Sequence, residues 1–251
     1  MNKAIEGNNT EIEITKQLNK KYIFWEELPF DIENTYAIHV NSKKYGKIND
    51  EKIHPKADIY FAKGKVDEHY LIKKNYYLNE HDIHKFVLKP IMYSGLSVKM
   101  NKSNFTIIKI SPKTFDKIFN SNVLGAGASI YSTKNFSKNI DIINGWGVEL
   151  NYFKEYFCKY LNIIDFELHD KNTLTDIKTL SNKLIKELIL KDSYISDLIF
   201  KGIGNFEEPF TAHWLLENNE IKKNYHIPFN VTTGSGRSKN IYTIVLKPKD
   251  T

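Results

Sequence analysis

Residues 54–60 read His54-Pro55-Lys56-Ala57-Asp58-Ile59-Tyr60, and residues 94–100 read Ser94-Gly95-Leu96-Ser97-Val98-Lys99-Met100. In the first stretch an acid sits inside an otherwise apolar strand, where a carboxylate without a compensating partner is costly to bury. In the second, a lysine ends a strand and a hydroxyl stands two residues before it, so the side-chain period of two puts Ser97 and Lys99 on one face. If the two strands are neighbours, Asp58 and Lys99 meet at a shared site. An acid that holds a divalent cation, beside a lysine that orients or deprotonates a water and offsets negative charge, is what metal-assisted phosphodiester hydrolysis requires.

Upstream, residues 8–22 open with capping residues and acids and then place Ile14, Leu18 and Tyr22 at i, i+4 and i+8, which predicts a short amphipathic helix. On a helical wheel Glu11 lies within roughly 20° of Leu18 and roughly 60° of Ile14, whereas Glu13 falls on the far side. Glu11 is therefore the expected inward-facing carboxylate. Strand-like runs surround the two opening stretches: Tyr36 to Val40, Ala57 to Ala62, Tyr70 to Lys73, Leu96 to Lys99 and Phe105 to Ile110.

Residues 150–202 return to helical spacing, with Tyr152, Tyr156 and Tyr160 on one stripe and Ile177, Leu180, Leu184 and Leu188 on another. A terminal β-hairpin is expected from residues 225–233 and 241–246, turning through Gly234 to Asn240. The expected fold class is α/β (α+β), a mixed central β-sheet flanked by helices with a C-terminal β-hairpin. With no repeat and no Gly/Ser linker, residues 1–251 read as a single domain, with a core at about 1–115 and a helical, recognition part at about 116–251.

The composition narrows the partners. The 251 residues carry 36 basic and 30 acidic groups, a net charge of +6, with 41% hydrophobic residues and a single cysteine. No apolar run approaches the roughly 20 residues of a membrane span, and the opening residues lack the apolar core of a signal peptide. Cys158 alone can neither close an internal disulfide nor build a cysteine-based zinc site, so a cytoplasmic protein is expected. A net positive charge suits a polyanion, although runs such as Lys43-Lys44 and Lys222-Lys223 equally suit a solvated face.

An acid at the end of an apolar strand, a downstream strand ending in x-Lys and a glutamate on a preceding helix resemble the PD-(D/E)xK nuclease superfamily. More narrowly, the Gly95-Leu96-Ser97-Val98-Lys99 element, the Asn104-to-Ile110 segment after it and the glycine-rich basic C-terminal hairpin resemble a type II restriction endonuclease. The resemblance implies a restriction-endonuclease-like fold, dependence on Mg2+, and hydrolysis of double-stranded DNA that leaves 5′-phosphates. It also implies a homodimer and a cognate DNA methyltransferase, a genetic rather than a physical partner. By position it makes Asp58 the metal-binding acid, Lys99 the catalytic lysine and Glu11 the helix acid, with Asp58 and Glu11 as metal ligands. Three features depart from the pattern: Ser97 stands where Glu or Asp is usual, Ala57 rather than proline precedes Asp58, and the gap from 58 to 99 exceeds that of a simple hairpin.

Two other readings stand beside it: from a different class, a non-catalytic DNA-binding protein whose charges only contact phosphates, and, within the same fold, a repair or junction-resolving nuclease. Inside the nuclease reading, Asp67 or Glu68 with Lys73 is a rival pair, disfavoured because Glu68 and Lys73 would point oppositely on a strand. Arg237, the one arginine among 36 basic residues, sits with Ser235, Lys239 and Asn240 in the hairpin turn. Glycines there let backbone approach DNA, and a guanidinium can read guanine O6 and N7 with two bonds, though an ordinary turn carrying a chance arginine explains the same residues.

Further stretches have plainer readings. Leu124 to Ser129 reads as a tight turn or a close backbone packing, and Asn144 to Gly147 as a turn with a packed tryptophan. His81 and His84 are expected at the surface of one helical turn, His213 as a packing residue or a DNA contact, and Cys158 in the core.

Overall fold

A computed structural model of the chain describes residues 3–22, 25–40, 47–48, 51–52, 55–99, 106–130, 138–224, 227–234 and 242–249. The chain forms two compact units, Met1–Lys102 with Asp197–His226, and Ser103–Ser196 with Ile227–Thr251. Residues 197–226 thus belong with the first unit although they lie far beyond residue 116.

The first unit is built on a mixed sheet. Strands β1 (Thr35–His39) and β4 (Ile59–Lys63) pair antiparallel from Thr35 opposite Lys63 to His39 opposite Ile59. On the other side of β4, strand β6 (Leu96–Lys99) pairs antiparallel through Ile59 and Leu96, and the short β5 (Lys89–Pro90) pairs with β4 further along. Strand β8 (Trp214–Glu217) then lies parallel to β6, with β9 (Glu220–Lys223) antiparallel at the edge. Strands β2 (Lys47–Ile48) and β3 (Glu51–Lys52) form a separate antiparallel pair.

Both faces of this sheet are covered, and the alternation of side chains shows how. Ala37, Ile59, Phe61, Leu96 and Val98 pack with Leu18 of α1 (Lys3–Asn19), while Ile38, Tyr60 and Ala62 pack with Leu71 of α2 (Glu68–Lys73) and Ile83 and Phe86 of α3 (Glu80–Phe86). This is a mixed α/β architecture, a mixed central sheet flanked by helices, as the sequence pattern predicts. Removing the side chain of a fully buried residue such as Phe61 from such a core typically costs about 3–5 kcal/mol.

One expected strand is a helix. Tyr70 to Lys73 lie in α2, because Asp67 caps it by accepting the Tyr70 N–H at 2.9 Å and Glu68 adds an acid to the first turn. Capping outweighs the strand propensity of Tyr-Leu-Ile, and it makes Asp67 a structural residue. The helices α2 and α3 and strand β5 fill the gap between Asp58 and Lys99, which is why it exceeds a hairpin.

The second unit joins β10 (Phe229–Thr233), β11 (Ile244–Pro248) and β7 (Ile108–Ile110) in an antiparallel sheet, so the two expected C-terminal strands do pair, with Gly234 N–H donating to the Thr243 carbonyl at 2.8 Å. It also contains α4 (Pro112–Phe119), α5 (Asn122–Ser129), α6 (Asn139–Gly145), α7 (Leu150–Leu161) and α8 (Lys171–Lys191), and α9 (Ser193–Phe200) begins within it. The Leu124–Ser129 stretch is the body of α5 rather than a tight turn. The close packing expected there holds: a Cβ on Gly125 would lie 2.1 Å from the Trp146 ring, and one on Gly127 would lie 2.2 Å from Ser181 Oγ. Trp146 is buried after the end of α6, as expected of its turn.

On α7 the buried stripe is Phe153 and Phe157, while Tyr152 and Tyr160 are exposed and Cys158 is half-buried, so Cys158 is not a core residue. The aromatic period was right but one position out of phase. No helix among the described residues is long and apolar enough to cross a membrane.

Candidate active site

Asp58 stands immediately before β4, and its backbone is held on both sides: its carbonyl accepts from Val40 N–H at 3.0 Å, and its N–H donates to the Leu96 carbonyl at 2.9 Å. Beyond Ile59 and Leu96 the ladder between β4 and β6 stops, and the Asp58 carboxylate takes over. Its Oδ2 accepts from Val98 N–H at 2.7 Å and from Ser97 Oγ at 3.2 Å, and it faces Lys99 Nζ at 3.8 Å. Ser97 and Lys99 thus do share a strand face and meet the same acid. All three contacts run to one oxygen, which anchors the carboxylate, and Asp58 and Lys99 keep about a fifth to a quarter of their side chains in contact with solvent.

Gly95 makes that geometry possible. A Cβ there would lie 1.9 Å from the Thr211 carbonyl oxygen, 2.7 Å from that of Pro209 and 2.9 Å from the Ala57 Cβ. The segment before β6 and the one before Asp58 both run against residues 209–211, Ala57 N–H donating to the Phe210 carbonyl at 3.1 Å. Ser94 adds a clamp, its hydroxyl accepting from Phe61 N–H at 3.0 Å.

Glu11 joins this group from α1. Burial pushes its carboxyl up from the ordinary range; the nearby Asp58 charge adds to the shift, while His39 and Lys99 oppose it. Glu11 Oε2 is 3.4 Å from His39 Nε2, and His39 Nδ1 is 2.9 Å from the Tyr77 hydroxyl. Burial holds the Tyr77 hydroxyl above its usual range, against a hydrogen bond from the Asn79 side chain. Lys56 stands near as well: burial and then the Lys99 charge push its ammonium down to about 7, against the pull of Asp58.

The sequence reading therefore located Asp58, Ser97, Lys99 and Glu11, which the fold brings together, and missed His39 and Lys56. His39 gives a signal like that of Asp58, a polar group at one end of an apolar strand, and Lys56 sits two residues before the acid. The rival Lys73 belongs to α2 and is exposed, with Glu68 engaged by the Tyr76 hydroxyl at 3.0 Å. His81 and His84 are exposed on α3, and His213 bonds Glu208 at 2.7 Å. Arg237, Ser235, Lys239 and Asn240 lie outside the described residues.

Among the described residues no three or more His, Cys, Asp or Glu side chains are grouped so as to hold a metal ion. Mg2+ is bound through one or two carboxylates and fills its other positions with water and substrate phosphate, so Glu11 and Asp58 suit it chemically. Comparison with protein-family models, with curated proteins and with solved structures returned no match for the chain.

Proposed function

We propose that the chain is a Mg2+-dependent, sequence-specific endonuclease of restriction type. It hydrolyses phosphodiester bonds of double-stranded DNA, leaves 5′-phosphates, and acts as a cytoplasmic homodimer beside a cognate methyltransferase. In this reading the first unit is a restriction-endonuclease-like core. The observation that supports it is the meeting of Glu11, Asp58 and Lys99, drawn from α1, the approach to β4 and the end of β6, around one anchored carboxylate.

Phosphodiester hydrolysis needs barrier lowering toward the upper part of the enzymatic range of roughly 8–23 kcal/mol, which positioned charges supply and binding alone does not. Bound at Glu11 and Asp58, Mg2+ would supply Lewis-acid polarisation of the phosphate and charge neutralisation. The protein's own part is positional. Asp58, fixed by Val98 N–H and Ser97, holds Lys99, whose ammonium orients the attacking water and offsets charge growing on the phosphate. Ser97 serves as a donor to Asp58 rather than as a metal ligand.

Incubation with unmethylated duplex DNA and Mg2+ tests the reading, with discrete fragments as the expected result. Lys99→Ala should abolish cleavage and leave DNA binding nearly intact. Intact DNA across several substrates and divalent metals would overturn hydrolysis, and wild-type-like cutting by Lys99→Ala would remove Lys99 from the site.

A further inference from the structure

We infer that His39 is a positioning residue that sets the Glu11 carboxylate for a divalent cation, through a directed hydrogen-bond chain running from Tyr77. The inference rests on the hydrolase reading above and names a component that the sequence pattern does not contain.

The direction of the chain follows from its partners. Glu11 Oε2 is a carboxylate oxygen and accepts, so His39 Nε2, 3.4 Å away, is the donor and Nδ1 of the neutral ring the acceptor. The phenolic hydrogen of Tyr77 is then directed at His39 Nδ1, 2.9 Å away. Both ring nitrogens are therefore engaged, and His39 supports a metal-holding side chain without being one.

Burial and location fit the assignment. His39 is 4% exposed, ends β1 opposite Ile59, and is followed by Val40, whose N–H holds the Asp58 carbonyl. The same strand end thus fixes the backbone of one carboxylate and the side chain of the other. A helix-borne glutamate has rotatable bonds that its own helix does not restrain, and a hydrogen bond to Oε2 restrains them. Supporting bonds of this kind are worth about 10–100-fold in metal affinity.

Full-length His39→Ala, His39→Gln and Tyr77→Phe are compared with wild type. The readouts are the Mg2+ concentration at half-maximal cleavage, the rate at saturating Mg2+, and the Ca2+ concentration at half-maximal binding of duplex DNA. In His39→Ala both midpoints should rise about 10–100-fold while the saturated rate stays near wild type. His39→Gln, whose amide also donates, should recover most of the loss, and Tyr77→Phe should shift both midpoints in the same direction by less. A folded His39→Ala with unchanged midpoints, or one that loses rate at every Mg2+ concentration with its Ca2+ midpoint unmoved, overturns the inference and leaves the hydrolase reading standing. If His39→Ala does not fold, unchanged midpoints in Tyr77→Phe overturn it instead. A wild-type protein that shows neither cleavage nor metal-dependent binding removes the hydrolase reading, and this inference with it.

Discussion

Gly95→Ala is the sharpest single-atom test of how the site is held. The added Cβ would sit 1.9 Å from the Thr211 carbonyl oxygen, where close carbon–oxygen contacts in proteins run at about 3.3 Å, so something must move by about 1.4 Å. Two of its three nearest neighbours are backbone carbonyls, of Thr211 and Pro209, and the third is the Cβ of Ala57, so no side-chain rotation relieves the clash. Overpacking typically costs about 1–3 kcal/mol, and a clash against backbone on two sides belongs at the upper end, at about 3 kcal/mol.

Relief comes either by displacing residues 209–211 or by displacing β6, and the second route carries Ser97 and Lys99 away from Asp58. A misplacement of about 1 Å is enough to cost about 100-fold in rate. Urea unfolding and single-turnover cleavage at a temperature where both proteins are folded measure the two effects. Gly7→Ala is the control in the same unit, since a Cβ there meets nothing within 4 Å inside α1, and it should stabilise by up to about 1 kcal/mol. A Gly95→Ala protein within about 0.5 kcal/mol of wild type and cleaving at its rate would refute the close-approach argument.

The other predictions concern charge. Lys21 follows α1 with its ammonium 4.0 Å from the Trp25 ring, and burial pushes it down to about 8 against the pull of Asp31. Because the folded value lies below the unfolded one, the unfolded chain binds more protons between about pH 8 and 10.5, and stability should rise with pH through that window by up to about 1.4 kcal/mol per unit. Lys21→Met should flatten the rise in urea titrations at pH 7, 8.5 and 10, and parallel curves would sink the argument. If Arg237 reads a guanine of a cognate duplex, Arg237→Lys should cost about 1–3 kcal/mol against that duplex and relax specificity at one position. A uniform loss across duplexes of different sequence would make the contact a phosphate one.

What the sequence made legible follows the range of the forces involved. The shared face of Ser97 and Lys99 and the inward turn of Glu11 are properties of a strand and a helix taken alone, and both stand in the folded chain. At Tyr70 to Lys73 an equally local signal, the Asp67 cap, overrides the strand propensity and makes a helix. The parallel insertion of β8 beside β6 had no local signal at all, since it joins strands more than a hundred residues apart. The importance of His39 and Lys56 lies in partners from other elements.

The departure at Ser97 shows what such partners decide. In the pattern that the chain resembles, an acid stands two residues before the lysine. Here that position lies 3.2 Å from Asp58 Oδ2, and its hydroxyl donates to that oxygen. A carboxylate at that distance would set like charges against each other in a half-buried site, unless a cation stood between them. With Ser97 in place the carboxylates that act on Lys99 are Asp58, on the approach to β4, and Glu11, on α1, whose Oε2 lies 3.4 Å from His39 Nε2. In the absence of a divalent cation Ser97→Glu should therefore weaken the approach to β4, and a urea midpoint equal to that of wild type would refute the like-charge argument.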